Sequence, residues 1–196
     1  MYHGADGVLD FSESLTGDTK YQNRIITIVL NKAKNQSCLA EYSKIQNDLH
    51  GKRMKIILSE DQNFYYYGKV KVKDYDRYSL VHYIEIECDV EPYKYDLTSS
   101  DEDWLWDPFS FEDGIINETK DLVVNSELEI TIIGRRQKVV PKFTCDNPLQ
   151  LIFNGTTYNL SSGISYHPNI EICEGENVLK FVGNGTVTIE YRGGSL

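Results

Sequence analysis

Apolar and polar residues alternate with a period of two through much of the first half of the chain. Gly68, Val70 and Val72 alternate with Lys69, Lys71 and Lys73. Further on, Leu80, His82, Ile84, Ile86 and Cys88 alternate with Val81, Tyr83, Glu85, Glu87 and Asp89. Successive side chains of an extended strand point to opposite faces, so each stretch predicts a strand with one dry and one wet face. Asp74-Tyr75-Asp76-Arg77 supplies the turn between them, and Pro92 is expected to stop the second, because proline cannot donate to a ladder. The β-branched run Ile25–Leu30 and the segment Met54–Leu58 predict two more strands. Only Leu39, Tyr42, Ile45 and Leu49 recur at helical steps, with Ser37 placed to cap the start and Gly51 placed for a left-handed end. The first half therefore reads as an antiparallel sheet with one helix, α+β in class.

The second half shows short strands broken by turns: Leu128–Ile133, Val139–Thr144, Leu149–Phe153, Thr156–Leu160, Tyr166–Ile172, Val178–Val182 and Thr186–Arg192. Asn154-Gly155 and Asn184-Gly185 are expected as hairpin turns, since both dipeptides tolerate positive φ. Close spacing without a helical period predicts a β-sandwich or jelly roll. The chain as a whole is mainly β.

Charge divides this pattern into parts. The 196 residues carry a net charge of −10, yet residues 1–95 and 122–196 are each within one charge of neutral. Residues 96–121 hold nine acids against Lys120 alone. The expected organisation is a first domain over 1–95, an acidic connector over 96–121 and a second domain over 122–196. The connector also holds Trp104, Trp106, Phe109 and Phe111, which no free linker would carry. It predicts a strap anchored by those four rings, with Asp101, Glu102, Asp103 and Asp107 turned to water.

The acidic balance argues against a nucleic-acid partner and against docking on an anionic membrane. No apolar run is long enough to span a bilayer as a helix. The first residues lack the basic and apolar regions of a signal peptide. The N-x-[ST] sequons at Asn35, Asn117, Asn154, Asn159 and Asn184 accordingly read as turn composition. Cys38, Cys88, Cys145 and Cys173 are too scattered for a zinc site and read as buried thiols.

Candidate chemistry is sparse. The histidines His3, His50, His82 and His167 form no metal-ligand spacing, and no nucleophile-elbow or phosphate-loop motif occurs. The acids around Asp101 lack the glycine and distal glutamate of a calcium loop. Tyr65-Tyr66-Tyr67 could stack on sugars or simply begin a strand. No catalytic residue, metal or cofactor is assigned, and the residues lean towards an assembly component over an enzyme. The candidate surfaces for self-association are two apolar strand edges. One comprises Ile25, Ile26, Ile28 and Leu30, the other Tyr66, Tyr67, Val70 and Val72.

Several stretches in order resemble a known family. They are Asp6-Gly7-x-Leu9-Asp10 with Tyr21-x-Asn23-Arg24, Leu49-His50-Gly51-Lys52-x-Met54-Lys55-Ile56, and Tyr66-Tyr67-Gly68-Lys69-Val70. Asp89-Val90-Glu91-Pro92-Tyr93-Lys94-Tyr95, Trp106-Asp107-Pro108-Phe109-Ser110-Phe111-Glu112 and Leu179-Lys180-Phe181 follow. Gly185-Thr186-Val187-Thr188 and Tyr191-Arg192-x-Gly194-Ser195-Leu196 complete the series. Together they resemble the distal tail proteins of bacteriophages with long non-contractile tails. That resemblance implies a ring-forming belt domain followed by a galectin-like β-sandwich. It implies a hexameric hub at the virion's tail tip, made in the bacterial cytoplasm, that joins tail tube to baseplate and leaves a channel for DNA. The partners it implies are further copies of the chain, the tail-tube protein and the tail-associated or fibre proteins. Family members carry a few tens of residues before the Asp-Gly start, so the resemblance also implies that this chain lacks the first strands of the belt. A carbohydrate-binding module in a host-recognition device is the alternative reading.

Overall fold

A computed structural model of the chain describes residues 19–32, 38–75, 82–102 and 119–196. Its strands are β1 (Arg24–Lys32), β2 (Arg53–Ile56), β3 (Phe64–Tyr75), β4 (His82–Asp96), β5 (Leu122–Gly134) and β6 (Lys142–Cys145). They continue as β7 (Leu149–Phe153), β8 (Thr156–Leu160), β9 (Gly163–Tyr166), β10 (Gly175–Glu190) and β11 (Gly194–Ser195), and the helix α1 spans Cys38–Leu49. The protein is mainly β with antiparallel sheets, as its alternating pattern predicts. It packs as two compact units, and neither is one continuous stretch. The first takes in residues up to Arg53 with Lys69–Pro92, the second Met54–Gly68 with Tyr93–Leu196.

In the first unit β1 pairs antiparallel with β4, from Arg24 opposite Val90 to Lys32 opposite His82. One face is apolar, with Val70, Val72, Ile84, Ile86, Cys88 and Val90 buried. The other carries the lysines of β3 and the acids of β4, and Lys73 Nζ lies 2.5 Å from Glu87 Oε2. Opposite charges on neighbouring strands suit a wet face and add little stability when exposed. The helical stripe forms as expected, and Gly51 ends the helix at φ +79°. Gly51 N donates to Val70 O at 2.8 Å and Val70 N to Lys52 O at 2.9 Å, which carries the chain from the helix onto β3.

Pro92 does not stop β4. The register with β1 ends at Val90 and that with β11 begins at Lys94. Among the described residues Pro92 therefore falls where that side of the strand has no ladder partner, and its missing N–H breaks no bond of the ladder.

The second unit is organised by β10. One side of this strand pairs with β5 over Gly175–Val187. The other side pairs with β7 over Leu179–Val182 and then with β6 over Val187–Glu190. β8 extends the β7 flank and β9 the β6 flank. Asn154-Gly155 is the tight turn between β7 and β8, with φ +48° and +74°. Asn184-Gly185, expected as a second hairpin, lies instead inside the continuous strand β10. Gly183 sits at φ +137° opposite Ser126 at φ +68°, and Ser126 N donates to Asn184 Oδ1 at 3.1 Å. The residues flanking a hairpin turn must pair with each other. Here both flanks are already paired with β5, β6 and β7, so the strand runs on in unbroken register. Phe143, Leu151, Leu179, Phe181, Val187 and Ile189 share one core. Phe143 and Phe181 meet edge to face with centroids 6.2 Å apart.

Candidate functional site

The two expected association edges differ in the structure. Among the described residues β1 pairs only with β4, so it is an edge strand. Ile26 and Ile28 are half-buried, whereas Ile25, Val29 and Leu30 are 58%, 51% and 41% exposed. Its outward backbone groups and apolar side chains make it a template for another strand. The second expected edge is an interior strand: β3 lies between β4 and β2. Tyr66 and Tyr67 are half-buried there, and Val70 and Val72 are buried. Where β2 and the residues before it cover β3, that strand has no backbone donors or acceptors left to offer a neighbour. The sequence hides this because β2 is only four residues long.

Of the connector acids, Glu102 is exposed and Asp101 half-exposed. Asp103, Asp107, Trp104, Trp106, Phe109 and Phe111 lie outside the described residues. Both described flanks of the connector are tied to the end of β10. Ser100 Oγ donates to Ile189 O at 2.9 Å and accepts from Tyr191 N at 2.8 Å. Thr119 Oγ1 donates to Ser100 O at 2.6 Å, and Ile189 N donates to Thr119 O at 2.8 Å. Both hydroxyl side chains are buried, and these bonds satisfy them.

A concave recess of about 450 Å³ opens on the second unit, lined among others by Tyr65, Tyr95, Gln137, Tyr166, Glu190 and Arg192. Its frame is a set of charge-assisted bonds. Arg135 grips Asp96 with both arms, Nε to Oδ2 at 2.8 Å and Nη2 to Oδ1 at 2.7 Å. Burial pushes the Asp96 carboxyl above its ordinary pKa, against the pull of Arg135, Arg192 and Lys94. Arg192 Nη1 donates to the carbonyls of Asp96 and Leu97, each at 2.5 Å. Tyr65 and Tyr95 lie with centroids 5.5 Å apart, and Lys55 Nζ stands 4.4 Å above the Tyr65 ring. Tyr191 is buried beside them, and that burial keeps its hydroxyl protonated well above the usual range.

Gln137 is the unusual member. Its N–H donates to Gly194 O at 2.9 Å, but its side-chain Oε1 is buried with no donor. A Cβ at position 194 would lie 2.3 Å from that oxygen, so glycine there lets the amide rest against the backbone. Most of the recess is not legible in the sequence. Of its tyrosines only Tyr65 stands in a conspicuous run, and Gln137, Glu190 and Arg192 arrive from β-rich segments far apart in the chain.

Cys88, Cys145 and Cys173 carry free thiols, and burial raises the pKa of the first two. Among the described residues no three His, Cys, Asp or Glu side chains gather to hold a metal ion, and no helix is long and apolar enough to cross a membrane. A scan against protein-family models finds no match, and a search of curated proteins finds no significant relative.

Proposed function

We propose that this chain is a non-enzymatic structural component of a phage or prophage tail. It would act as the distal hub that joins the tail tube to the baseplate and scaffolds the host-adsorption apparatus. The observation that carries the reading is the edge strand β1, with Ile25, Val29 and Leu30 exposed and, among the described residues, only β4 as a partner strand. A lone monomer gains nothing from such an edge and risks aggregation through it. A ring of identical subunits closes it by heterologous pairing. The first unit corresponds in this proposal to the belt, and the β-sheet core of the second to the galectin-like sandwich. The acidic connector would face the channel or steer basic tail proteins. Light scattering and negative-stain microscopy of the purified chain test the reading. The expected result is a ring-sized oligomer, six subunits by the family resemblance, that falls apart in the double variant Ile25→Lys/Val29→Lys. A chain that stays strictly monomeric and binds neither tail-tube nor fibre proteins would overturn it.

A second reading, a carbohydrate-binding module in a host-recognition device, is favoured by one observation, the tyrosine-lined recess of the second unit.

A further inference from the structure

We propose that the recess holding Tyr166 and Gln137 is a binding site for a neutral saccharide of one to two rings. The proposal rests on the carbohydrate reading and is independent of the hub reading. Size is the first argument. About 450 Å³ lies within the range of small-ligand sites and admits a short sugar rather than a flat protein surface. The lining chemistry is the second. Tyr166 is 61% exposed on β9 and offers a ring face, with Tyr95 half-buried across the recess. Ring faces accept the C–H side of a pyranose, while hydroxyls need donors and acceptors together. Ser99, Gln137, Lys138, Glu190 and Arg192 supply both. An anionic ligand would meet the Glu190 carboxylate, itself ion-paired with Lys142. A neutral polyol suits this mixture best.

Gln137 supplies the third argument, independent of the first two. A buried acceptor without a donor costs about as much as a lost hydrogen bond, and native folds keep few of them. The terminal torsion of glutamine is soft and Gln137 lines the recess, so rotation of its amide is the way Oε1 would meet a bound ligand. There a sugar hydroxyl can donate to it. The cost in the empty protein then becomes selectivity for a hydroxyl-bearing ligand.

The test uses the full chain with maltose, diacetylchitobiose and galactobiose as probes, followed by saturation-transfer NMR in the millimolar range. At least one probe should bind. Tyr166→Ala, at an exposed edge position, should weaken it about tenfold. Gln137→Leu should weaken it similarly while leaving the melting temperature equal or raised, because it removes the orphaned oxygen. Binding that both variants leave unchanged would overturn this site but not the carbohydrate reading. No saturation transfer from any of the three probes would overturn both, and neither outcome touches the hub reading.

Discussion

At the scale of single residues, Asp146 shows how one carboxylate fastens a turn. Its Oδ1 accepts from Asn147 N and Thr186 N, each at 2.6 Å, and its carbonyl accepts from Ser162 Oγ at 2.6 Å. The bond from Thr186 N, then that from Asn147 N, hold the carboxyl below its ordinary value of 3.8. A lowered folded pKa stabilises the fold above the ordinary value, and that contribution fades as pH falls through the depressed one. Asp146→Ala should therefore lower the melting temperature at neutral pH. The gap to the parent protein should close only on acidification below 3.8, as followed by thermal scans across pH. A gap that does not change with pH would remove the carboxylate from the account. The same site explains a glycine that the sequence suggests for another reason. Gly185 follows an asparagine and so reads as a hairpin residue. In the structure a Cβ there would lie 2.5 Å from Asp146 Oδ1, so position 185 needs glycine for the room it leaves.

At the scale of elements, the parts that follow from the sequence are those set by nearest neighbours. Helix α1 with its glycine end, strand β1, and the β7–β8 hairpin lie close to where period and turn chemistry put them. The parts that do not follow are those decided by distant partners. Asn154-Gly155 and Asn184-Gly185 look alike in sequence, and only the second lies in a strand already paired on both sides. Two glycines separate these situations. Gly155 has φ +74° and open space around its missing Cβ, so Gly155→Ala should cost only the left-handed strain, about 1–2 kcal/mol. Gly183 has φ +137°, and a Cβ there would meet Leu149 Cδ2 at 2.9 Å and Pro148 O at 3.6 Å. Gly183→Ala should add the cost of overpacking, about 1–3 kcal/mol more. Urea denaturation of both variants checks the order. Equal costs would mean that β10 at Gly183 does not depend on the close approach of Leu149.

At the scale of the molecule, tight packing is unevenly shared between the two units. In the second, Phe143, Leu151, Leu179, Phe181 and Ile189 are wholly shielded, and five strands, β5, β6, β7, β8 and β10, contribute to the cluster they belong to. In the first, the sheet buries one face, but from Leu39 to Leu49 no side chain of α1 is buried, and Leu39 is 53% exposed. The helical stripe predicts an element without saying how deeply it will sink, because depth depends on what else covers the same face. Local stability follows buried apolar contact, so the amides of α1 should open at much lower free energy than those of β7 and β10. Hydrogen exchange with mass spectrometry reads this directly. Peptides over Cys38–Leu49 should exchange orders of magnitude sooner than peptides over Leu149–Phe153 and Gly175–Val182. Phe181→Ala, which empties the centre of the second core at a cost of about 3–5 kcal/mol, should speed exchange through β5, β7 and β10 together. If assembly closes the β1 edge, protection of Arg24–Lys32 should also rise with protein concentration, while that of β10 stays constant. An α1 protected as strongly as β10 in the dilute chain would show that the half-exposed helix is held by more than its own stripe.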